Sequence, residues 1–175
     1  GTTGLQIRAR LESRADITLI SLPEESRKSR LARLGAFNEA DVAILCLPDA
    51  AVHDIVPDLV HLPCRVIDAS TAHRTDPDWE FGFPELDAGA RARIHAAKCV
   101  SNPGCYSTGA IAMLKPLIDA DVIGSDHPVT INALSGYSGG GKSLIAEFES
   151  GAVQGGFVYA TGQTHKHLPE IVVHA

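Results

Sequence analysis

The sequence predicts an α/β protein built on a doubly wound parallel sheet, and three observations carry that reading. Segments of helical periodicity alternate along the first hundred residues with short runs rich in β-branched and aliphatic side chains. The run Val42-Ala43-Ile44-Leu45-Cys46-Leu47 is apolar without a polar alternate, as expected for a strand covered on both faces. Polar loops follow directly on strand ends, at Cys46-Leu47-Pro48-Asp49 and Asp68-Ala69-Ser70-Thr71, where such sheets bind ligands.

Taken in order, Leu5 to Arg14 has a helical pattern, and Asp16 to Leu22 shifts to strand-like residues until Pro23 ends the run. A charged stretch, Glu24 to Arg33, leads to the strand Asp41 to Leu47. Ala50 to Leu62 reads as a helix and Arg65 to Asp68 as a strand. Asp76 to Glu85 combines turn formers with aromatics, the mark of an ordered loop rather than a linker. A helix over Leu86 to Ala97 and a short strand around Lys98-Cys99-Val100 deliver the chain to Asn102. Gly104 to Ile118 carries an apolar helical face, with Pro116 expected to kink or shorten it. A strand over Val129 to Leu134, a glycine-rich loop over Ser135 to Gly141 and a helix over Leu144 to Glu149 follow.

Bulk properties exclude several classes of function. The 175 residues are 45% hydrophobic and 21% charged, close to an average folded domain. A net charge of -6 provides no basic stripe for nucleic acid. No apolar run approaches the roughly 20 residues that span a bilayer, and no signal peptide opens the chain, so a cytoplasmic protein with no membrane partner is expected. Cys46, Cys64, Cys99 and Cys105 form no CxxC pair, which suits a reducing compartment. The opening Gly1-Thr2-Thr3-Gly4 reads as the middle of a glycine turn, and the final residues Glu170 to Ala175 stop within an apolar run. An internal segment of a longer protein is therefore expected.

Cys105 is the first candidate for chemistry. It follows Asn102-Pro103-Gly104 at a strand-to-helix transition, where the positive end of a helix dipole and free backbone N–H groups favour thiolate and can bind an oxyanion. The alternative is a small buried hydrophobe, as Cys46 is within its apolar run. Proton-transfer partners are offered by His165 and His167, which share one face if their segment is extended; sequence does not choose between them. Two histidines with no third ligand at zinc-like spacing make a poor metal site, and none is expected.

Gly136-Tyr137-Ser138-Gly139-Gly140-Gly141-Lys142-Ser143 satisfies the phosphate-loop pattern of kinases and NTPases. That reading also requires an acidic residue closing a later strand to hold Mg²⁺, which neither Phe157-Val158-Tyr159-Ala160 nor Ile171-Val172-Val173-His174 supplies. It leaves Cys105 and the histidines without a role. The preferred reading is a glycine loop that lets backbone approach a cofactor or phosphate, through Gly136, Ser138, Gly139 and Gly140. Gly1, Thr2, Thr3 and Gly4 suit the pyrophosphate turn of a dinucleotide site, and Pro48 lies at a strand end facing such a site. At the end of the Asp16-to-Leu22 strand Glu24 could hold the ribose diol of NAD, but Ser21, Arg27 and Lys28 suit a 2′-phosphate and favour NADP. Arg74, after the strand ending at Asp68, offers a guanidinium to a carboxylate or phosphate. A thiol hydrolase or acyltransferase, and a non-catalytic nucleotide-binding module, are the remaining alternatives.

Together, Gly1-Thr2-Thr3-Gly4, Asp68 to Arg74, Ser101-Asn102-Pro103-Gly104-Cys105-Tyr106, Ser135 to Lys142 and His165 to Glu170 make the chain resemble the short form of the N-acetyl-γ-glutamyl-phosphate reductases. That family lies in the superfamily that includes aspartate-semialdehyde dehydrogenase. The resemblance implies an NADP-binding Rossmann domain over residues 1–103, lacking its first strand, and part of an α+β catalytic domain over 104–175. It implies Cys105 as nucleophile, His165 or His167 as acid/base, and Arg74, Asn102, Ser107, Lys142 and Tyr159 as substrate contacts. The implied reaction, in arginine biosynthesis, uses NADPH to reduce N-acetyl-γ-glutamyl phosphate to the semialdehyde through a thioester on Cys105, releasing phosphate. An aspartate-semialdehyde-type reductase is the alternative within the superfamily, and a homo-oligomer is expected.

Overall fold

The computed structural model describes residues 2–175, with side chains from Gln6 onward. Gly1, assigned above to the cofactor turn, lies outside the described residues. The chain divides into two compact units, Thr3–Pro103 and Gly104–Ala175.

The first unit holds a four-stranded, wholly parallel sheet. Its strands are β1 (Val42–Leu45), β2 (Arg65–Asp68), β3 (Glu80–Phe81) and β4 (Cys99–Ser101), in the order β1-β2-β4-β3. Helices α1 (Thr2–Glu12) and α2 (Arg30–Glu39) precede the sheet, α3 (Asp49–Leu59) joins β1 to β2, and α4 (Ala90–Ala96) joins β3 to β4. The β1-to-β2 and β3-to-β4 crossovers step in opposite directions across the sheet. Because parallel crossovers are right-handed, they send α3 and α4 to opposite faces, which makes the sheet doubly wound.

The core forms where alternating strand residues meet the apolar stripe of α3. Val52, Ile55 and Leu59, spaced three and four residues apart, pack with Leu45, Val66, Trp79 and Cys99. Leu59 is fully buried, a burial that contributes about 1.5–3 kcal/mol. Asp76 to Glu85 is an ordered segment that contains β3, with Trp79 and Phe81 both buried. It needs a glycine where it closes on β4: a Cβ on Gly82 would meet the Ser101 carbonyl oxygen at 2.9 Å and Val100 at 3.0 Å.

The second unit carries α5 (Cys105–Asp119), a single 3₁₀ turn (Tyr137–Gly140), α6 (Gly141–Glu149) and α7 (His167–His174). Pro116 lies in the last turn of α5, which runs on to Asp119, so the expected kink or shortening takes the form of an ordinary helix end.

Two expected strands do not form. Asp16 to Leu22 and Val129 to Leu134 have strand-like composition, yet neither has a hydrogen-bonding neighbour among the described residues. Val129, Ile131 and Leu134 are exposed. Composition does not make a strand without a ladder to join. The charged stretch before β1, in turn, runs into a helix that periodicity did not reveal, α2, capped by the Ser29 side chain on the Ala32 N–H. No helix among the described residues is long and apolar enough to cross a membrane.

Candidate active site

The thiol sits where α5 begins. Gly104 is the N-cap, in extended conformation, and its missing side chain leaves the helix start to be satisfied by others. The Ser107 and Thr108 hydroxyls donate to the Gly104 carbonyl at 2.9 and 2.8 Å, tightening the first turn. The Gly104 N–H donates to Glu170 Oε1 at 2.6 Å, and the Glu170 side chain is fully buried. Cys105 itself is exposed, whereas Cys64 and Cys99 are buried and Cys46 is half-buried. Burial pushes the Cys46 and Cys99 thiols up, foremost by desolvation, so neither is a ready nucleophile.

The histidines come from the start of α7. Their segment is not extended, the condition under which both would share a face; His167 opens the helix. The pair is nevertheless brought together, with ring centroids 4.6 Å apart. His165 Nδ1 accepts the His167 backbone N–H at 3.2 Å, which places the proton of a neutral His165 on Nε2. His165 is half-buried and His167 buried.

Aromatic rings link this corner to the glycine loop. Tyr106 lies 6.0 Å from His167, His165 lies 6.0 Å from Tyr159, and contacts continue through Phe157 and Phe148 to Tyr137, which stacks on Phe148 at 5.1 Å. The Tyr159 phenol is pushed up to about 12, first by the neighbouring Tyr106 hydroxyl, then by burial and by the charges of Tyr106 and Cys105. The two phenols are close without being well aligned, since the buried Tyr106 Oη meets no hydrogen-bond partner of acceptable geometry among the described residues. Tyr159 therefore lies within electrostatic reach of both Tyr106 and the thiol.

Other predicted contacts fall into two groups. Ser107 is buried and engaged with the Gly104 carbonyl, supporting the helix start. Lys142, Gly136, Ser138, Gly139 and Gly140 are exposed, on the 3₁₀ turn and at the start of α6. Gly141 follows at φ +77°, a left-handed position that favours glycine. The phosphate-loop reading loses its strand here, because Val129 to Leu134 forms none.

In the first unit the end of β2 is organised around Asp68. Its buried carboxylate accepts the Ser70 N–H and hydroxyl, each at 2.8 Å, and pairs with His73 Nδ1 at 2.9 Å. His73 in turn stacks on Trp79 at 4.0 Å. Arg74 is buried beside this network, donating to the Ala69 carbonyl at 3.3 Å. Asn102 is exposed, with its backbone N–H on the Asp68 carbonyl at 2.7 Å. Pro48 caps α3 at the end of β1. Thr2, Thr3 and Gly4 lie in the first turn of α1.

Ser21 and Arg27 line a groove of about 640 Å³, together with Arg8, Glu24, Arg33 and Phe37. Arg8 donates to the Ser21 hydroxyl at 3.1 Å, and Arg33 to the Arg27 carbonyl at 2.5 Å. Three guanidiniums and one hydroxyl offer donors to a phosphate ester there, beside the Glu24 carboxylate and with Arg8 also paired to Glu12 at 2.7 Å. Lys28 is exposed and does not line the groove. Among the described residues no group of three His, Cys, Asp or Glu side chains could hold a metal ion.

Sequence reasoning passed over Tyr106, Glu170, Arg8 and Arg33. Tyr106 and Glu170 stand inside motifs it had already singled out, so adjacency to Cys105 and His167 was the available signal. Arg8 and Arg33 gave none, since Arg8 stands on a helix read only for its periodicity and Arg33 in a charged stretch where no helix was read.

A doubly wound parallel sheet, and a helix opened by an exposed cysteine, define a class: an α/β protein whose front half suits a nucleotide and whose back half carries a thiol centre. Residues 23–94 match the NAD-binding domain of semialdehyde dehydrogenases and residues 105–175 their dimerisation domain. It is 51% identical over 179 aligned residues to the N-acetyl-γ-glutamyl-phosphate reductase of Burkholderia cenocepacia, covering 100% of this chain and 57% of that protein. It is 50% identical to that of Brucella ovis, covering 99% of this chain and 58% of the relative. The chain thus spans less than two thirds of the length of these curated relatives. Aspartate semialdehyde dehydrogenase II from Vibrio cholerae superposes with a TM-score of 0.53 at 19% identity, over 79% of this chain and 48% of that one, a likeness of fold.

Proposed function

We propose that the protein reduces N-acetyl-γ-glutamyl phosphate to N-acetyl-glutamate semialdehyde with NADPH and releases phosphate. The observation that carries this reading is the exposed Cys105 at the start of α5, in the same unit as a histidine pair seated on α7. The 51% identity to a reductase of that name supports the choice of substrate. Residues 1–103 form the NADP-binding domain and residues 104–175 the catalytic one. The groove beside Ser21, Arg8, Arg27 and Arg33 receives the 2′-phosphate, and the start of α1 and Pro48 serve the rest of the cofactor. When bound, NADPH supplies the hydride that takes the acyl group to the aldehyde level.

The protein's own groups do the remainder. Cys105 sulfur attacks the acyl carbonyl, the tetrahedral centre collapses, and the C–O bond to phosphate breaks to leave a thioester. Backbone N–H groups at the α5 N-terminus stabilise the oxyanion. His165, through Nε2, moves the proton on and off oxygen as the thiohemiacetal releases aldehyde and the thiol is regenerated. His167, more buried, orients His165. Arg74, Asn102, Lys142 and Tyr159 are the candidate substrate contacts, and the glycine loop lines the reacting region.

The decisive experiment follows nicotinamide absorbance in the reverse direction with N-acetyl-glutamate semialdehyde, phosphate and either NADP or NAD, with aspartate semialdehyde run in parallel. Phosphate-dependent NADP reduction with the acetylated substrate is expected. Turnover of aspartate semialdehyde alone would transfer the assignment to the other branch of the family. A homo-oligomer acting in the cytoplasm completes the proposal; the match of residues 105–175 to a dimerisation domain supports the oligomer, which sedimentation velocity tests.

A further inference from the structure

The buried Glu170 carboxylate joins the helix that bears the thiol to the helix that His167 opens. Its Oε1 accepts the Gly104 N–H at 2.6 Å, the short length of a charge-assisted bond, across a separation of 66 residues. Gly104 has no side chain with which to cap α5, and the carboxylate from α7 satisfies one of the orphan donors at the helix start, the Gly104 N–H. A fully buried carboxylate is tolerated only where hydrogen bonds hold it, which makes this contact fixed rather than incidental. Negative charge also meets the positive end of the α5 dipole there.

The position of Glu170 on α7 gives the contact its reach. His167 lies three residues earlier, on the same side of the helix, and its ring is 6.0 Å from Tyr106 and 4.6 Å from His165. His165 is tied to His167 by the bond from the His167 N–H. The hydrogen bond at Gly104 thus ties α7, which carries His167, to the residue that precedes Cys105.

We infer that Glu170 is a positioning residue, holding the histidine pair in register with Cys105 through the Gly104 N–H. The inference rests on Cys105 being the nucleophile, and its test has one readout that does not depend on that assignment. Amide hydrogen exchange at Gly104, followed by NMR in the intact protein, is expected to be slow in the wild type, fast in Glu170→Ala, and still slow in Glu170→Gln, whose amide oxygen can accept the same bond. In steady-state kinetics Glu170→Ala should lose about a hundredfold in kcat, the scale of an ångström-level misplacement, with KM for NADP unchanged. Glu170→Gln should recover most of that kcat.

Gly104 exchange that ignores Glu170→Ala, or an alanine variant with wild-type kcat, overturns the inference. If the alanine variant does not fold, the glutamine variant decides: a folded Glu170→Gln with kcat as low as Cys105→Ser also overturns it. Should the wild type reduce no acyl phosphate, the exchange result stands alone, so failure of the functional reading is distinguishable from failure of this one.

Discussion

His165 accepts the backbone N–H of His167 at its own Nδ1, across 3.2 Å, and so presents Nε2 as its proton-carrying atom. His167 is the more buried of the two. His165→Asn should therefore lower kcat by about 100-fold or more, the usual yield of general acid–base catalysis. His167→Asn keeps the backbone N–H that His165 accepts and should cost less, acting only through the lost ring contact at 4.6 Å. Equal kcat losses would remove the distinction between them.

Cys105→Ser should bind NADP as the wild type does and show no turnover, because a serine at this position keeps the geometry and loses the nucleophile. Isothermal titration and the nicotinamide assay check the two halves. Near-normal turnover would refute the thioester.

Arg27→Ala should raise KM for NADP by about tenfold or more, from a charged hydrogen bond of about 1.5–3 kcal/mol, and leave KM for NAD unchanged. An equal rise for both cofactors would place the 2′-phosphate elsewhere than the groove of Arg8, Ser21 and Arg33.

Tyr159 should titrate near 12, seen as phenolate absorbance in the wild type that is missing from Tyr159→Phe. Its folded value lies above the unfolded 10.0, so the neutral phenol is favoured in the native state. The corresponding stability is fully present below 10.0 and is lost as pH rises from there through about 12. A midpoint near 10.0 would mean that Tyr106 does not crowd it.

Asp68→Ala should destabilise the first unit by about 3 kcal/mol or more, read as a lower urea midpoint. It strands the Ser70 N–H, the Ser70 hydroxyl and His73 in the interior, each at a cost of about 1–3 kcal/mol. A change within about 0.5 kcal/mol, the range of surface substitutions, would show that the network is replaceable.

The parallel sheet was legible because its evidence is local. Val42 to Leu45 and Arg65 to Asp68 centre on aliphatic and β-branched residues between helical segments, and both form strands where the sequence puts them. Asp16 to Leu22 and Val129 to Leu134 carry the same kind of signal and form no strand, since a ladder is a property of two segments. The α2 helix was obscured by its charge, with only Ser29 as a capping cue.

Cys105, His165 and His167 were marked in the residues themselves, because a glycine before a helical run and two histidines one apart are patterns of neighbours. Their working relation was not. That His165 offers Nε2, that Tyr159 crowds Tyr106, and that Glu170 closes on Gly104 all join residues by side-chain packing, which short-range spacing does not encode. Covalent neighbourhood specified which groups are present at the thiol. Burial of α7 against the start of α5 chose which of them are held, at what distance, and through which atom.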